Sequence, residues 1–174
     1  SEYIDGYHTT VDAATYAPCP GSEMITELYV PPERLIEFLR GASSLLVQNG
    51  TPVIYGTIRL IQPDTETVLA WARRRYACII FNLHLDHEAA AVERAAEAFR
   101  GLIDLATSMD GSYYLTYHRF ATAQQLERCY PRIREFAAAK RRWDPRGVFS
   151  SIWWQHYQSA FAPAVPDGRV VVAG

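Results

Sequence analysis

The sequence predicts an α+β domain in which two helices cover one face of a four-stranded antiparallel sheet. Two observations lead to this prediction. Segments with the two-residue period of strands and segments with the helical period follow one another in the order strand, helix, strand, strand, helix, strand. The chain has 174 residues, of which 49% are hydrophobic and 21% charged, enough for one domain with a sizeable core.

The first strand leads directly into the first helix. Residues 23–30 alternate loosely as a strand and end at Pro31-Pro32, a pair that suits the first turn of a helix. Apolar residues then recur at helical spacing over residues 33–48, and Asn49-Gly50 provides a left-handed stop. This helix is therefore expected to bury one face.

The remaining elements complete the pattern. Residues 52–61 are rich in β-branched and aromatic side chains, and residues 77–86 form the apolar run of a central strand. An amphipathic helix is predicted over residues 88–108 and a fourth strand over residues 112–119. This order is that of the ferredoxin-like fold, which leaves one face of its sheet open.

We expect the chain to divide into an irregular lead-in (1–22), the sheet-and-helix unit (23–120), a helical extension (121–161) and a loosely held tail (162–174). Thr122 and Gln125 have the spacing of a capping box that opens a short helix, and Pro131 opens another. The aromatic segment 153–157, with Trp153, Trp154 and Tyr157, is expected to be exposed, as at an interface.

Composition excludes several classes of protein. A formal net charge of -2 does not suit a nucleic-acid-binding protein. Cys19, Cys78 and Cys129 are too widely spaced for a disulfide framework or a zinc site, and they favour a reducing, cytoplasmic location. His84 and His87 have no evident third ligand, so we predict no metal site. No apolar run has the roughly 18 to 20 residues of a membrane span.

Strand alternation sorts the polar side chains onto one face of the sheet. Burying unpaired arginine and histidine beneath helices would be costly, so the polar set should occupy the open face. The fourth strand contributes to this face if its parity matches that of its neighbours. The side chains expected there are Tyr55, Thr57, Arg59, Asn82, His84, Tyr114 and His118.

These residue types suit redox chemistry on a small molecule. An arginine such as Arg59 can orient or stabilise an anion, and a neutral histidine, His84 or His118, can accept a proton from a hydroxyl during oxidation. The same side chains could instead be solvated or packed against another domain, and Arg59 could form a structural salt bridge. The residues alone leave both interpretations open.

Several short motifs occur in an order that resembles a known family. Tyr117-His118-Arg119-Phe120-Ala121 is followed by Tyr130-Pro131, Asp144-Pro145 and Phe149. This order resembles the C-terminal signature of FAD-linked oxidases of the vanillyl-alcohol oxidase superfamily, nearest the sugar-lactone and alditol oxidases. The segments 27–31 (Glu-Leu-Tyr-Val-Pro) and 55–59 (Tyr-Gly-Thr-Ile-Arg) are similar to substrate-domain strands of that family.

The resemblance implies a flavoenzyme in which this sheet roofs the isoalloxazine ring, while an N-terminal FAD-binding domain, absent from this chain, holds most of the FAD. It implies that Arg59 and His118 contact flavin or substrate and that His84 is a pocket histidine. Tyr55, Thr57, Asn82 and Tyr114 would line the pocket. Thr57 stands where the family's sugar oxidases have glutamate, so a polyol or aldonolactone substrate does not follow.

We therefore expect the substrate-binding C-terminal part of an FAD-dependent oxidoreductase, acting on a small hydroxylated or lactone-like substrate and inactive without its FAD-binding domain. The alternative is a non-enzymatic ferredoxin-like module. It would use the same open face to bind a ligand or to form a homodimer.

Overall fold

The computed structural model describes residues 7–14 and 21–162. Its four antiparallel strands lie in the spatial order β2-β3-β1-β4, which is the ferredoxin-like order and confirms the predicted fold. The strands are β1 (Gly21–Val30), β2 (Val53–Ile61), β3 (Tyr76–Asp86) and β4 (Ser112–Tyr113). Lead-in residues 1–6 and 15–20 and tail residues 163–174 lie outside the described residues.

Six helices accompany these strands in the described part of the chain. They are α1 (Tyr7–Ala14), α2 (Leu35–Gln48, after a 3-10 turn at Pro32–Arg34), α3 (Ala89–Ser108), α4 (Ala123–Cys129), α5 (Ile133–Trp143) and α6 (Ile152–Tyr157). Helix α1, which contacts β1, lies where an irregular lead-in was expected, so that prediction is wrong for residues 7–14. None of the described helices is long and apolar enough to cross a membrane.

Helices α2 and α3 lie side by side against one face of the sheet, which we call the covered face. Two glycines lie at their contact. A Cβ atom at Gly41 would lie 2.9 Å from Leu105 Cδ2, and one at Gly101 would lie 2.6 Å from Leu45 Cδ1. A larger side chain at either position would require the facing leucine side chain to move.

The core lies between these helices and the two central strands. Leu28 on β1 and Ile79 on β3 are directly opposite each other and pack with Phe99 of α3 in one buried cluster. The helices do not extend over edge strand β2. Ile58 is paired with Ile79 on the same face, yet Ile58 is 51% exposed and Ile79 only 1%.

The C-terminal helices are fixed to this unit by hydrogen bonds. Thr122 and Gln125 form the predicted capping box at the start of α4. The Tyr130 hydroxyl donates to the Tyr113 carbonyl at 2.5 Å, and the Tyr157 hydroxyl donates to the Ala121 carbonyl at 2.8 Å.

The expected exposure of the aromatic segment 153–157 is wrong for two of its residues. Trp154 and Tyr157 are buried in the main core, where the Trp154 ring meets the ring of Phe136 at 5.6 Å. Helix α6 packs these side chains inward, so they belong to the core of this chain.

The fourth strand is shorter than predicted. It ends at Tyr113, and the backbone N–H of Tyr114 makes one more hydrogen bond, to the Glu27 carbonyl at 2.9 Å. A turn at residues 115–116 then takes the chain away from the ladder. The alternation of side chains between the two faces of the sheet therefore does not continue to residues 117–119.

Candidate functional site

The open face is the face of the sheet opposite α2 and α3, and the strand register orders its side chains in rows. Each row runs across β1, β3 and β2, in that order. The rows are Glu27, Ile80 and Thr57; Tyr29, Cys78 and Arg59; and Ile25, Asn82 and Tyr55. The register thus brings Tyr55, Thr57, Arg59 and Asn82 to one face, as the alternation predicted.

Glu27 provides a carboxylate near the middle of this face. Its Oε1 accepts hydrogen bonds from the Tyr29 hydroxyl at 2.7 Å and from the Cys78 thiol at 3.1 Å. Burial and the hydrogen bond to Glu27 raise the pKa of both Tyr29 and Cys78. Both groups therefore stay protonated at neutral pH and act as donors, and Cys78 does not act as a thiolate nucleophile.

Tyr117 lies beside the same carboxylate. Burial and the negative charge of Glu27 raise the pKa of Tyr117, although its side chain is 43% exposed. Its ring centroid is 5.2 Å from that of Tyr114, which packs at the edge of the apolar cluster on the open face. Tyr114 thus lies where it was expected, and Tyr117 joins it.

Arg59 lies on β2, across Cys78 from β1. Burial and Glu27 raise the pKa of the Cys78 thiol, and the positive charge of the Arg59 guanidinium partly offsets this rise. The thiol on β3 is therefore influenced by a carboxylate on β1 and by an arginine on β2. Arg59 itself is exposed. The open face therefore presents a cation on β2 and an anion on β1, two strands that lie about 10 Å apart with β3 between them.

Aromatic side chains close one end of the open face. The Tyr29 ring contacts Trp71 at 5.7 Å and Tyr76 at 6.0 Å between centroids. Trp71 comes from the connection between β2 and β3, and the Tyr76 hydroxyl donates to the Asp110 carbonyl at 3.0 Å. This end is a packed wall, whereas Tyr55 at the other end of β2 is exposed.

His84 lies on the open face, as predicted, but it is enclosed. Its side chain is buried next to Glu23, its partner on β1. Nδ1 is 3.8 Å from Glu23 Oε1, and Nε2 is 3.5 Å from Asp86 Oδ1. A Cβ atom at Gly21 would meet the ring at 2.5 Å, so glycine is required there. His84 is therefore part of a buried cluster with two carboxylates.

The predicted position of His118 on the open face is wrong. The turn at residues 115–116 changes the parity of the chain, so His118 points to the covered face and Tyr117 takes the position on the open face. The His118 ring contacts the Phe99 ring at 4.4 Å and is 5% exposed. Burial lowers the pKa of His118 to about 4.

The contacts of His118 suit a neutral ring. The backbone N–H of Phe120 donates to Nδ1 at 3.4 Å, and Nε2 lies 3.5 Å from the Thr26 hydroxyl. Phe120 also stacks on the ring at 5.6 Å. An uncharged imidazole avoids the cost of burying a charge among aromatic rings.

A cleft of about 420 Å³ lies at the edge of β1 beyond β4. Its lining residues are Met24, Tyr117, His118, Arg119, Phe120 and His156. Met24 packs with the covered core and Tyr117 lies by Glu27, so the cleft borders both faces of the sheet. A substrate group could thus extend past Tyr117 over the sheet edge.

Residues 11–157 match the family model described as D-arabinono-1,4-lactone oxidase. The chain belongs to the D-arabinono-1,4-lactone oxidase family. This family comprises the C-terminal domain of FAD-linked oxidases of the sugar-lactone oxidase type, so the predicted resemblance is confirmed. A comparison with curated proteins finds no match.

The residues of this family member suit one part of an FAD molecule. An open sheet face with exposed Tyr55 and Tyr117 can accept a planar ring, and Arg59 can stabilise negative charge on it. The glycines of residues 21–162 are isolated, so this part of the chain has no Gly-rich loop for a pyrophosphate. The same residues contain no cluster of three or more potential metal ligands.

Sequence reasoning missed Glu27 and Tyr117. The signal for Glu27 was present, because Glu23, Ile25, Glu27 and Tyr29 alternate along β1 and two of the four are acidic. Sorting β1 as the other strands were sorted would have placed Glu27 on the open face. The position of Tyr117 depends on the turn at residues 115–116, for which the sequence has no glycine or proline signal.

Proposed function

We propose that this chain is the substrate-binding part of an FAD-dependent oxidoreductase that oxidises a hydroxyl group of a small lactone-like molecule. The open face would lie over the isoalloxazine ring, and a separate domain would bind the rest of the FAD. The observation that carries this proposal is the open face itself, where Glu27 and Arg59 stand on either side of Cys78 in a member of this family.

Each group on this face has a role in the proposal. Arg59 stabilises negative charge on the flavin or orients the substrate. The pocket lining is formed by Tyr55, Thr57, Asn82 and Tyr114, while His84 fixes one end of the face through Glu23 and Asp86. The FAD, when bound, supplies the hydride acceptor. We assign His118 to the core rather than to substrate or cofactor.

We also propose that this chain is inactive by itself. A sheet face exposed to water neither excludes solvent nor aligns a substrate, and both are needed for fast hydride transfer. We also propose a reducing, cytoplasmic location, which the buried thiols Cys78 and Cys129 support.

The test compares this chain alone with the holoprotein, meaning this chain together with its FAD-binding domain. D-arabinono-1,4-lactone is added without oxygen, and flavin absorbance near 450 nm is followed. We expect bleaching in the holoprotein and neither flavin binding nor turnover in the chain alone. A holoprotein whose flavin is reduced by no hydroxylated lactone would contradict the proposal.

A second candidate function, homodimer formation, is favoured by strand β2. It is one of the two edge strands of the described sheet and is exposed along most of its length. Leu60 on this strand is 60% exposed, and a long apolar edge strand is a typical site of strand pairing between chains. The occupant would be β2 of a second copy, which would extend the sheet.

Sedimentation equilibrium tests this dimer. We expect Leu60→Glu to shift a wild-type dimer to monomer, because it places a charge at the paired edge. The matched control is Val47→Glu on the outer surface of α2, which is also an exposed apolar position and should leave the mass unchanged. A monomeric wild-type protein would remove this candidate.

A further inference from the structure

We infer that Glu27 accepts a hydrogen bond from a hydroxyl group of the substrate, and that Tyr117 positions its carboxylate. This inference rests on the proposed function and adds the residue that distinguishes a hydroxylated lactone from a bare one. Neither residue was among the site residues predicted from the sequence.

The first argument is the position of Glu27. It lies on β1, one of the two central strands, in the middle of three rows of open-face side chains. The other acidic side chain that β1 places on this face, Glu23, is taken up by the buried cluster around His84. Glu27 is therefore the carboxylate that a molecule on the centre of the open face would meet.

The second argument is the set of donors that hold Glu27. Tyr29 and Cys78 both donate to Oε1, and Tyr117 lies against the same carboxylate. A carboxylate has about four acceptor sites on its two oxygens, so it can accept a further hydrogen bond from a ligand. The donors also fix the side chain, which lowers the entropic cost of binding.

The third argument is the chemistry of the donors. Their raised pKa values keep them protonated, so each presents an O–H or S–H group as a hydrogen-bond donor toward Glu27. A substrate hydroxyl can donate in the same way. A lactone ring lacking hydroxyl groups has no donor to offer.

Arg59 completes the recognition of a hydroxylated lactone. It lies on β2, across β3 from Glu27, and its guanidinium presents only donors. A lactone carbonyl is an acceptor and suits Arg59, while a ring hydroxyl suits Glu27. The two side chains thus match the two kinds of polar group on one small molecule.

The test uses the holoprotein with its flavin chemically reduced, so that the lactone binds without being oxidised. Calorimetry measures the affinity for D-arabinono-1,4-lactone and for γ-butyrolactone, which has no hydroxyl group. We expect Glu27→Gln to weaken binding of the hydroxylated lactone by about 10- to 100-fold, the range for hydrogen bonds to a charged group. Binding of γ-butyrolactone should stay within about 2-fold of wild type.

Two further variants separate recognition from folding. Glu97→Gln removes an exposed carboxylate from α3, on the other side of the molecule, and should change neither affinity. Tyr117→Phe removes one hydroxyl from a half-exposed ring and should weaken binding of the hydroxylated lactone alone, by about 2- to 10-fold, because Glu27 loses one donor but keeps its carboxylate.

The outcomes distinguish this inference from the proposed function. If wild-type protein binds the hydroxylated lactone and Glu27→Gln binds it equally well, Glu27 has no role in recognition. If Glu27→Gln and Tyr117→Phe weaken both lactones equally, their role is structural and the inference is wrong. If wild-type protein binds no lactone at all, the proposed function itself fails.

Discussion

The two faces of the sheet differ in what they do with polar side chains. On the covered face, His118 is held without charge among Phe99 and other rings. On the open face, Glu27 and Arg59 are retained close to the protonated thiol of Cys78. The covered face thus holds its buried histidine without charge, whereas the open face keeps charged side chains.

The contrast is sharpest at two neighbouring residues. Tyr117 and His118 are adjacent in the chain, yet Tyr117 lies beside Glu27 and His118 lies beneath α3. A single turn at residues 115–116 decides which of them lies on the open face. Substitutions on the two faces should therefore affect different properties.

The largest effect is expected for Arg59 on the open face. Arg59→Ala should lower kcat/KM of the holoprotein by about 100- to 1000-fold, as does loss of one electrostatic group in other active sites. Steady-state kinetics measures this. Arg40→Ala removes an exposed arginine from α2 on the opposite side and should leave kcat/KM unchanged. Equal effects of the two variants would contradict the distinction between the faces.

The next effect concerns burial on the covered face. Ile79→Ala should lower the free energy of unfolding by about 2 to 4 kcal/mol, because it leaves a cavity beneath the helices. Ile58→Ala, at its half-exposed cross-strand partner, should cost less than about 1 kcal/mol. Urea unfolding of both variants checks the comparison, and similar costs would show that β2 is covered in solution.

A third effect of about 2 to 3 kcal/mol is expected from the pKa of His118. Burial lowers that pKa from 6.5 to about 4 in the folded protein, so the unfolded chain binds the extra proton first. The contribution of His118 to stability is therefore complete above pH 6.5 and is lost as the pH falls toward 4.

Urea unfolding at pH 7.5 and pH 4.5 measures this loss. His118→Gln keeps a neutral polar side chain and should remove about 2 to 3 kcal/mol of the difference between the two pH values. The matched control variant is His156→Gln, at an exposed histidine. An unchanged difference in His118→Gln would mean that the ring is charged or solvated in the folded state.

Most of the fold could be predicted because its elements have clear periods and ends. Helix α3 has a long apolar stripe, and α4 begins at a capping box. Strands β1, β2 and β3 were predicted to within two residues at their ends. Helix α1 was missed because eight residues with Thr and Asp between Gly-Pro punctuation have no sustained helical period.

The candidate site could be predicted only where alternation continues without interruption. Thr57 and Arg59 on β2 face Ile80 and Cys78 on β3 in a regular ladder, so their face follows from counting. His118 follows a turn, and counting through it gave the wrong face. Tertiary packing of the imidazole against Phe99 has no signature in the local sequence.

The central claim is that the open face is covered by the FAD-binding domain and its flavin. Hydroxyl-radical footprinting of the holoprotein and of this chain alone tests it most directly, because Tyr55 is 48% and Tyr117 is 43% exposed here. We predict strong protection of both tyrosines in the holoprotein and unchanged labelling of Val47 on α2. Equal labelling of Tyr55 and Tyr117 in the two samples would contradict the claim.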